Sequence, residues 1–414
     1  MPWRHALLVV ILFGPAIQAG DWPQWLGPNR DGASPEKVEP WKANPKTLWS
    51  VPAGEGFSVP VVAGGRVFVH ARVKDKQEEE VVALDAKTGK QLWRASYPRT
   101  RFSSIINSGP QGSPCVVGNR VFTFGITGVL SCFDAETGKQ IWQVDAIKKV
   151  NSRLPRFGAT CSPLVVGNRV LVAIGGKGTS VVAFDTENGD EAWRALDGPA
   201  STGSPVVYLN RAKKDGASLE AIFVDGRSLV ALNPFDGSIS WQQPLADQTV
   251  GTAPSPVIAG DLILASTMRA GGIAVQLNQK DDKMVPSGAW KNADLTGYFC
   301  TPALCGKYFF YTVTTTLLPQ PASTLRCIEV KTGKELWNKA GLAIYSAGLL
   351  RVADNRLLLL DDKGGLHLIQ HDPKEYKELA KGQVCAATFV TPALADGCLY
   401  VRDNKAVSCV KLNE

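Results

Sequence analysis

Cut at each Ser-Pro or Thr-Pro, the chain falls into segments that share one pattern of apolar and polar positions. The clearest runs from Ser113 to Trp142: an apolar run after the proline, a Gly-Asn turn, a second apolar run, a third ending at Asp134, then a Thr-Gly-Lys turn that leads to the tryptophan. Ser162 to Trp193 and Val59 to Trp93 repeat it, and more divergent copies begin at Ser204, Ser255, Thr301, Ser346 and Thr391. Their final aromatic residues are Trp241, Trp290, Trp337 and, by weaker alignment, Tyr376. Short apolar runs bounded by tight-turn residues predict strands, so each unit predicts a four-stranded antiparallel meander.

The recurring residues have structural explanations. Gly89, Gly138, Gly189, Gly237 and Gly333 fall where a tight turn needs positive φ, and Asp85, Asp134 and Asp185 are placed to cap that turn with a side-chain hydrogen bond. A carboxylate that recurs at one offset in every good unit acts as a turn cap, whereas an active site would need it once. Trp93, Trp142, Trp193, Trp241 and Trp337 open the outer strand and are large enough to cover a seam between neighbouring units. Four strands per repeat of roughly 40 to 50 residues mark a propeller blade. The last unit holds only three strands, and Lys46 to Ser50, with Trp49, has the form of the missing fourth. The predicted fold is therefore all-β, an eight-bladed β-propeller of four-stranded antiparallel blades, its ring closed by an N-terminal strand. Seven blades is the alternative if Ser346 to Ala380 does not form a full blade.

Residues 1–19 read as a secretory signal peptide: Arg4, an apolar run from Ala6 to Phe13, then Ala19 at the cleavage point. That run is far below the roughly 20 residues of a membrane-spanning helix, so no transmembrane anchor is expected. Residues 20–45 are an N-terminal extended segment and 46–414 the propeller. An exported protein, periplasmic or secreted, is expected, which argues against nucleic acid as partner despite a net charge of +7. The nine cysteines show no paired framework. Cys132, Cys327 and Cys409 align with Ala83, Ala183 and Ala231, and so read as small buried residues filling one slot. No cysteine precedes Cys115 to carry a lipid.

The run Ala-x-Asp-x-x-Thr-Gly-x-x-x-Trp, matched in full by Ala83, Asp85, Thr88, Gly89 and Trp93, resembles the repeat of the pyrroloquinoline-quinone (PQQ) β-propellers. The resemblance implies one of two activities. Quinoprotein dehydrogenases of this family hold PQQ and Ca²⁺ on the axis, with a vicinal disulfide, but this chain has no adjacent cysteines. The other branch is non-enzymatic, like BamB, an eight-bladed scaffold that binds proteins, and its size and blade count suit this chain better. The resulting expectation is a monomeric, non-enzymatic binding scaffold with no catalytic residue, metal or cofactor. A PQQ-dependent dehydrogenase is the alternative.

Independent of the resemblance, the chain offers no zinc-protease motif, no Cys/His cluster at metal spacing and no phosphate loop. Its one irregular chemical feature is charge. Two neighbouring connectors, Trp93 to Pro114 and Trp142 to Pro163, are long. The first carries Arg94, Arg99 and Arg101 with no acid, the second Lys148, Lys149, Arg153 and Arg156 against Asp145 alone. In propellers of this family such connectors lie on the ligand-holding face. Arg99, Arg101, Lys148, Lys149, Arg153 and Arg156 are therefore the candidate binding residues, for a protein or acidic ligand gripped through Arg forks. The run Glu78-Glu79-Glu80 is expected in a loop on that face, neutralising part of it.

Overall fold

The computed structural model describes residues 20–104, 107–211, 216–245, 253–267, 270–297, 299–314 and 322–413. Residues 1–19, the signal-peptide reading, lie outside them. Eight four-stranded antiparallel sheets make up the fold. Blades 1 to 7 span 61–98, 115–145, 164–195, 206–244, 257–292, 303–340 and 347–383. Blade 8 combines 393–411 with the N-terminal strand Lys46–Pro52, which pairs antiparallel with Ala406–Lys411. The seventh unit is thus a full blade, and the seven-bladed alternative is set aside. Among the described residues, the only helix is Ala146–Lys149, capped by Asp145, whose side chain accepts from the Lys148 N–H.

A meander places two sets of connections at opposite ends of every blade. The turns joining strands 1–2 and 3–4 lie on one face of the ring, the turn face; turns 2–3 and the connectors between blades lie on the other, the connector face. The seams are held on the turn face. Nε1 of Trp49, Trp93, Trp142, Trp193 and Trp290 donates to the carbonyl of Ala86, Ala135, Thr186, Pro234 and Val330 in the next blade, at 2.8 to 3.0 Å. Each acceptor directly follows the capping Asp or its Asn or Glu equivalent.

The glycine beside each acceptor is needed twice over. Gly138 has φ of 72°, and a Cβ there would meet the Trp93 ring at 2.6 Å. Gly89, Gly189, Gly237 and Gly333 stand in the same relation to Trp49, Trp142, Trp193 and Trp290. Asp85 and Asp134 fix the turn by accepting from the backbone and hydroxyl of Thr88 and Thr137, and Asp185 accepts from Glu187 N–H.

Across its own sheet every such tryptophan faces a small residue. Trp93 pairs with Ala83, Trp142 with Cys132, Trp193 with Ala183, Trp241 with Ala231, Trp337 with Cys327 and Trp49 with Cys409. The cysteines therefore occupy the alanine slot, and all nine are free thiols. Burial pushes Cys132 up to about 12. Two seams depart from the rule. Blade 5 has a long hairpin turning at Asp281 in place of the Thr-Gly-Lys turn, so Trp241 bonds Glu220 of its own blade at 3.1 Å. In blade 7 the tryptophan slot is Ala380, opposite Leu368. Tyr376 is thus not the equivalent of the tryptophans: it lies before the outer strand and packs edge-on against Trp337 of blade 6 at 6.1 Å. Its distance from the Thr-Gly turn pattern made the alignment weak, and Trp41 from the N-terminal segment lies beside that strand instead.

Residues 20–36 run across the ring axis. Trp22 bridges to Val62 of blade 1, and Pro23 accepts from Val116 of blade 2. Trp25 donates to Ser255 ahead of blade 5 at 2.9 Å, and Ala33 bridges to Arg351 of blade 7. Arg30, 3% exposed, donates to the carbonyls of Pro163 and Pro205 at the entries to blades 3 and 4. A positive φ at Leu26, Gly27 and Arg30 bends the segment into the space it fills. The Ser-Pro repeats also gain a function: the hydroxyls of Ser113, Ser162, Ser204 and Thr301 accept from the backbone N–H of Val59, Ser113, Ser162 and Ser255. These bonds stitch adjacent innermost strands together around the axis.

Candidate functional site on the connector face

The connector face carries side chains that do not repeat. At the position two residues before each unit's start stand Phe57, Gln111, Thr160, Thr202, Ala253, Phe299, Ile344 and Phe389. The position is apolar on four successive blades, 6, 7, 8 and 1, and polar or small on blades 2 to 5. Phe389 is the centre of the apolar half. Phe57, Phe299 and Tyr345 surround it with ring centroids at 5.8, 6.1 and 6.0 Å. Yet Phe389 remains 41% and neighbouring Ile344 37% exposed. An apolar surface built from four separate connectors and left open to solvent is a feature of binding sites.

The cluster is held in place by three buried polar groups: Asp362 in the turn between the second and third strands of blade 7, Thr388 in the connector to blade 8, and Arg402 at the end of blade 8's second strand. The Asp362 carboxylate accepts from the N–H groups of Ile344 at 3.0 Å, Tyr345 at 2.5 Å and Ser346 at 3.3 Å. Thr388 donates its hydroxyl to the Arg402 carbonyl at 2.6 Å and its N–H to the Asp362 carbonyl at 3.1 Å, fixing the approach to Phe389. The Arg402 side chain, fully buried, donates to the carbonyls of Ser58, Gly54 and His70 at 3.0, 2.8 and 2.8 Å and so fixes Phe57. Burial lowers its pKa to about 10, which leaves it charged at neutral pH.

The basic connectors adjoin this cluster. The carbonyl of Pro110, in the connector from blade 1 to 2, accepts from the N–H of Phe57 and Ser58. Of the six candidate basic residues, Arg101, Lys148, Lys149, Arg153 and Arg156 are exposed. Lys149 lies 3.7 Å from Asp190, and Arg156 lies over the Phe157 ring. Arg99 is turned inward and does not belong to an exposed face: its side chain is fully buried, 3.3 Å from Glu79 and hydrogen-bonded to the Ser108 carbonyl. Ile105 and Ile106 of the same connector lie outside the described residues.

The acidic run is corrected too. Glu78, Glu79 and Glu80 begin a strand, Glu78–Asp85, because this hairpin continues to Arg72 opposite Glu79, and Glu79 and Glu80 are buried. Glu79 accepts from Tyr97 at 2.8 Å and from Ile126 N–H at 3.1 Å, with His70 3.5 Å away. Burial pushes its carboxyl up, but His70, Tyr97 and Arg99 outweigh that and hold it below the ordinary glutamate value. The run therefore neutralises Arg99 from within, and Glu80 lies 3.4 Å from Arg94. Sequence reasoning missed the aromatic half-ring, although its signal was present: phenylalanine two residues before three of the eight unit starts.

Comparison with known proteins places this architecture in a class and then in a family. Solved structures share the propeller at low identity. A quinohemoprotein alcohol dehydrogenase from Comamonas testosteroni superposes with a TM-score of 0.66 at 14% identity, covering 94% of this chain and 80% of that one. A europium-containing methanol dehydrogenase gives 0.65 at 14%, covering 95% and 91%. BamB from Moraxella catarrhalis gives 0.58 at 14%, covering 89% and 98%. No curated protein matches the sequence. The family model described as outer membrane protein assembly factor BamB matches residues 39–99 and 77–339, and the chain belongs to that family of PQQ-repeat propellers.

The fold's association with PQQ and Ca²⁺ can be tested against the side chains present. Among the described residues no group of three His, Cys, Asp or Glu side chains converges as a cation site. The cysteines are separate thiols, so no vicinal disulfide forms a stacking plate. Among the described residues, then, neither a carboxylate, thiol and imidazole cluster of three nor a vicinal disulfide is present.

Proposed function

We propose that the protein is an exported, non-enzymatic scaffold that captures a protein partner on its connector face. The observation that carries this reading is the half-ring of Phe57, Phe299, Ile344 and Phe389, exposed at its centre and fixed by buried Asp362 and Arg402. A rigid ring supplies loops at fixed positions, and such a surface binds without needing a nucleophile or acid–base pair. The apolar centre with its basic border has the anatomy of a protein interface, an anchor pocket beside charged groups that set register. Export rests on the sequence of residues 1–19, and no helix among the described residues is long and apolar enough to cross a membrane.

The test pairs two experiments on the purified mature protein. Immobilised wild type and the Arg101→Glu/Arg156→Glu variant are challenged with cell-envelope extract, and PQQ is titrated calorimetrically with and without Ca²⁺. The expected result is a discrete protein retained by the wild type and lost by the variant, with no heat from PQQ. Tight calcium-dependent PQQ binding, or retention indifferent to charge reversal, contradicts the proposal.

A further inference from the structure

The mouth of the connector face is divided, and the division specifies the partner's chemistry. Blades 6, 7, 8 and 1 contribute the apolar half; the connectors entering blades 2 and 3 contribute Arg101, Arg153 and Arg156, all exposed. The two halves are continuous, because Pro110 of the first basic connector hydrogen-bonds to Phe57 and Ser58. The next basic connector follows directly, with a Cβ at Gly112 falling 2.5 Å from the Cys161 carbonyl.

We infer that the occupant is an extended acidic segment of a partner protein that carries one large apolar side chain, seated on Phe389 with its carboxylates over Arg101, Arg153 and Arg156. This rests on the scaffold reading above. One anchor matches the apolar half, since Phe57, Phe299 and Tyr345 enclose a single exposed ring, that of Phe389. An extended chain matches the division: at about 3.3 Å per residue it carries an anchor and its acids across the mouth in a few residues, where a helix advances only about 1.5 Å. Carboxylates match the charge, because guanidinium groups bind them as bidentate forks. Glu79 and Glu80, which pair with Tyr97 and Ser96 on the strand leading into the first connector, are buried and do not compete. Nucleic acid is disfavoured because so few exposed cations make a poor track for a phosphate backbone.

The experiment measures fluorescence anisotropy of labelled synthetic peptides with the full mature protein. One peptide is Glu/Asp-rich with a single Phe; the second has that Phe replaced by Ala; the third has the acids replaced by Lys. A single-stranded oligonucleotide serves as competitor. The expected result is binding of the first peptide alone, weakened ~tenfold or more by Phe389→Ala or by Arg153→Glu/Arg156→Glu and weakened by salt, with every variant still unfolding cooperatively. Equal binding of the Ala or Lys peptide, indifference to Phe389→Ala, or equally tight binding of the oligonucleotide overturns the inference. If no peptide binds while envelope protein is still retained and lost on charge reversal, the inference falls and the scaffold reading stands. If both measurements fail, both fall.

Discussion

The two faces of the ring are built from opposite kinds of residue. On the turn face, Trp93 with Ala135 and Gly138 reappears as Trp142 with Thr186 and Gly189, and again in other blades. On the connector face, Asp362, Thr388 and Arg402 each make a set of bonds found, among the described residues, at one place in the ring. The difference teaches where to look for function in a repeat protein. A residue present in most blades answers a need that most blades share, which is seam closure; a site that binds one partner must break the repeat.

Breaking a seam should have the largest effect on stability and little on binding. Trp93→Ala empties a buried slot between blades 1 and 2, and a loss of about 3–5 kcal/mol is expected in denaturant unfolding. Partner retention should persist wherever the variant is folded. Arg402→Met should cost somewhat less, about 2–4 kcal/mol, by leaving the carbonyls of Gly54, Ser58 and His70 without their donor. Unlike the seam variant, it should also weaken partner binding, because Phe57 loses its support.

A smaller effect is expected from acid. The folded-state pKa of Glu79 lies below its unfolded value, so its contribution is present above about pH 4.3 and lost as pH falls through the folded value. Asp361 is held low as well: burial pushes its carboxyl up, but His367 and the turn amides outweigh that. Stability should therefore drop as pH falls below about 4. Glu79→Gln should flatten that part of the profile, read from melting temperature against pH. A modest stability change, about 1–2 kcal/mol, is expected of Phe389→Ala, whose ring is part-exposed but touches three aromatic rings, and partner binding should weaken at least tenfold.

The fold was legible because its determinants are local and repeated. The Thr-Gly turns, the capping aspartates and the alanine-for-cysteine exchange opposite tryptophan all fall within a few tens of residues, and repetition multiplied the signal. Blade 7 was harder to read, since Ala380 replaces the tryptophan and Trp41, more than three hundred positions away in sequence, lies beside its outer strand. The candidate site was legible in part. Connector length and charge marked two segments that the topology places on the connector face, but composition does not show which cation turns inward, so Arg99 could be placed only once Glu79 and Ser108 were seen beside it. The acids were misplaced for the same reason: Glu78 to Glu80 read as loop by charge, while the pairing of Glu79 with Arg72 and of Glu80 with Ala71 across the hairpin makes them strand. The aromatic half-ring depends on contacts between connectors that only ring closure brings together.

The most direct test of the division between faces is site-specific photo-crosslinking in the producing cells. A photoreactive residue is placed at Ile344 on the connector face or at Val117 on the turn face, both exposed. The account predicts a discrete protein adduct from position 344 and none from position 117. The same adduct from position 117, with none from 344, would contradict it.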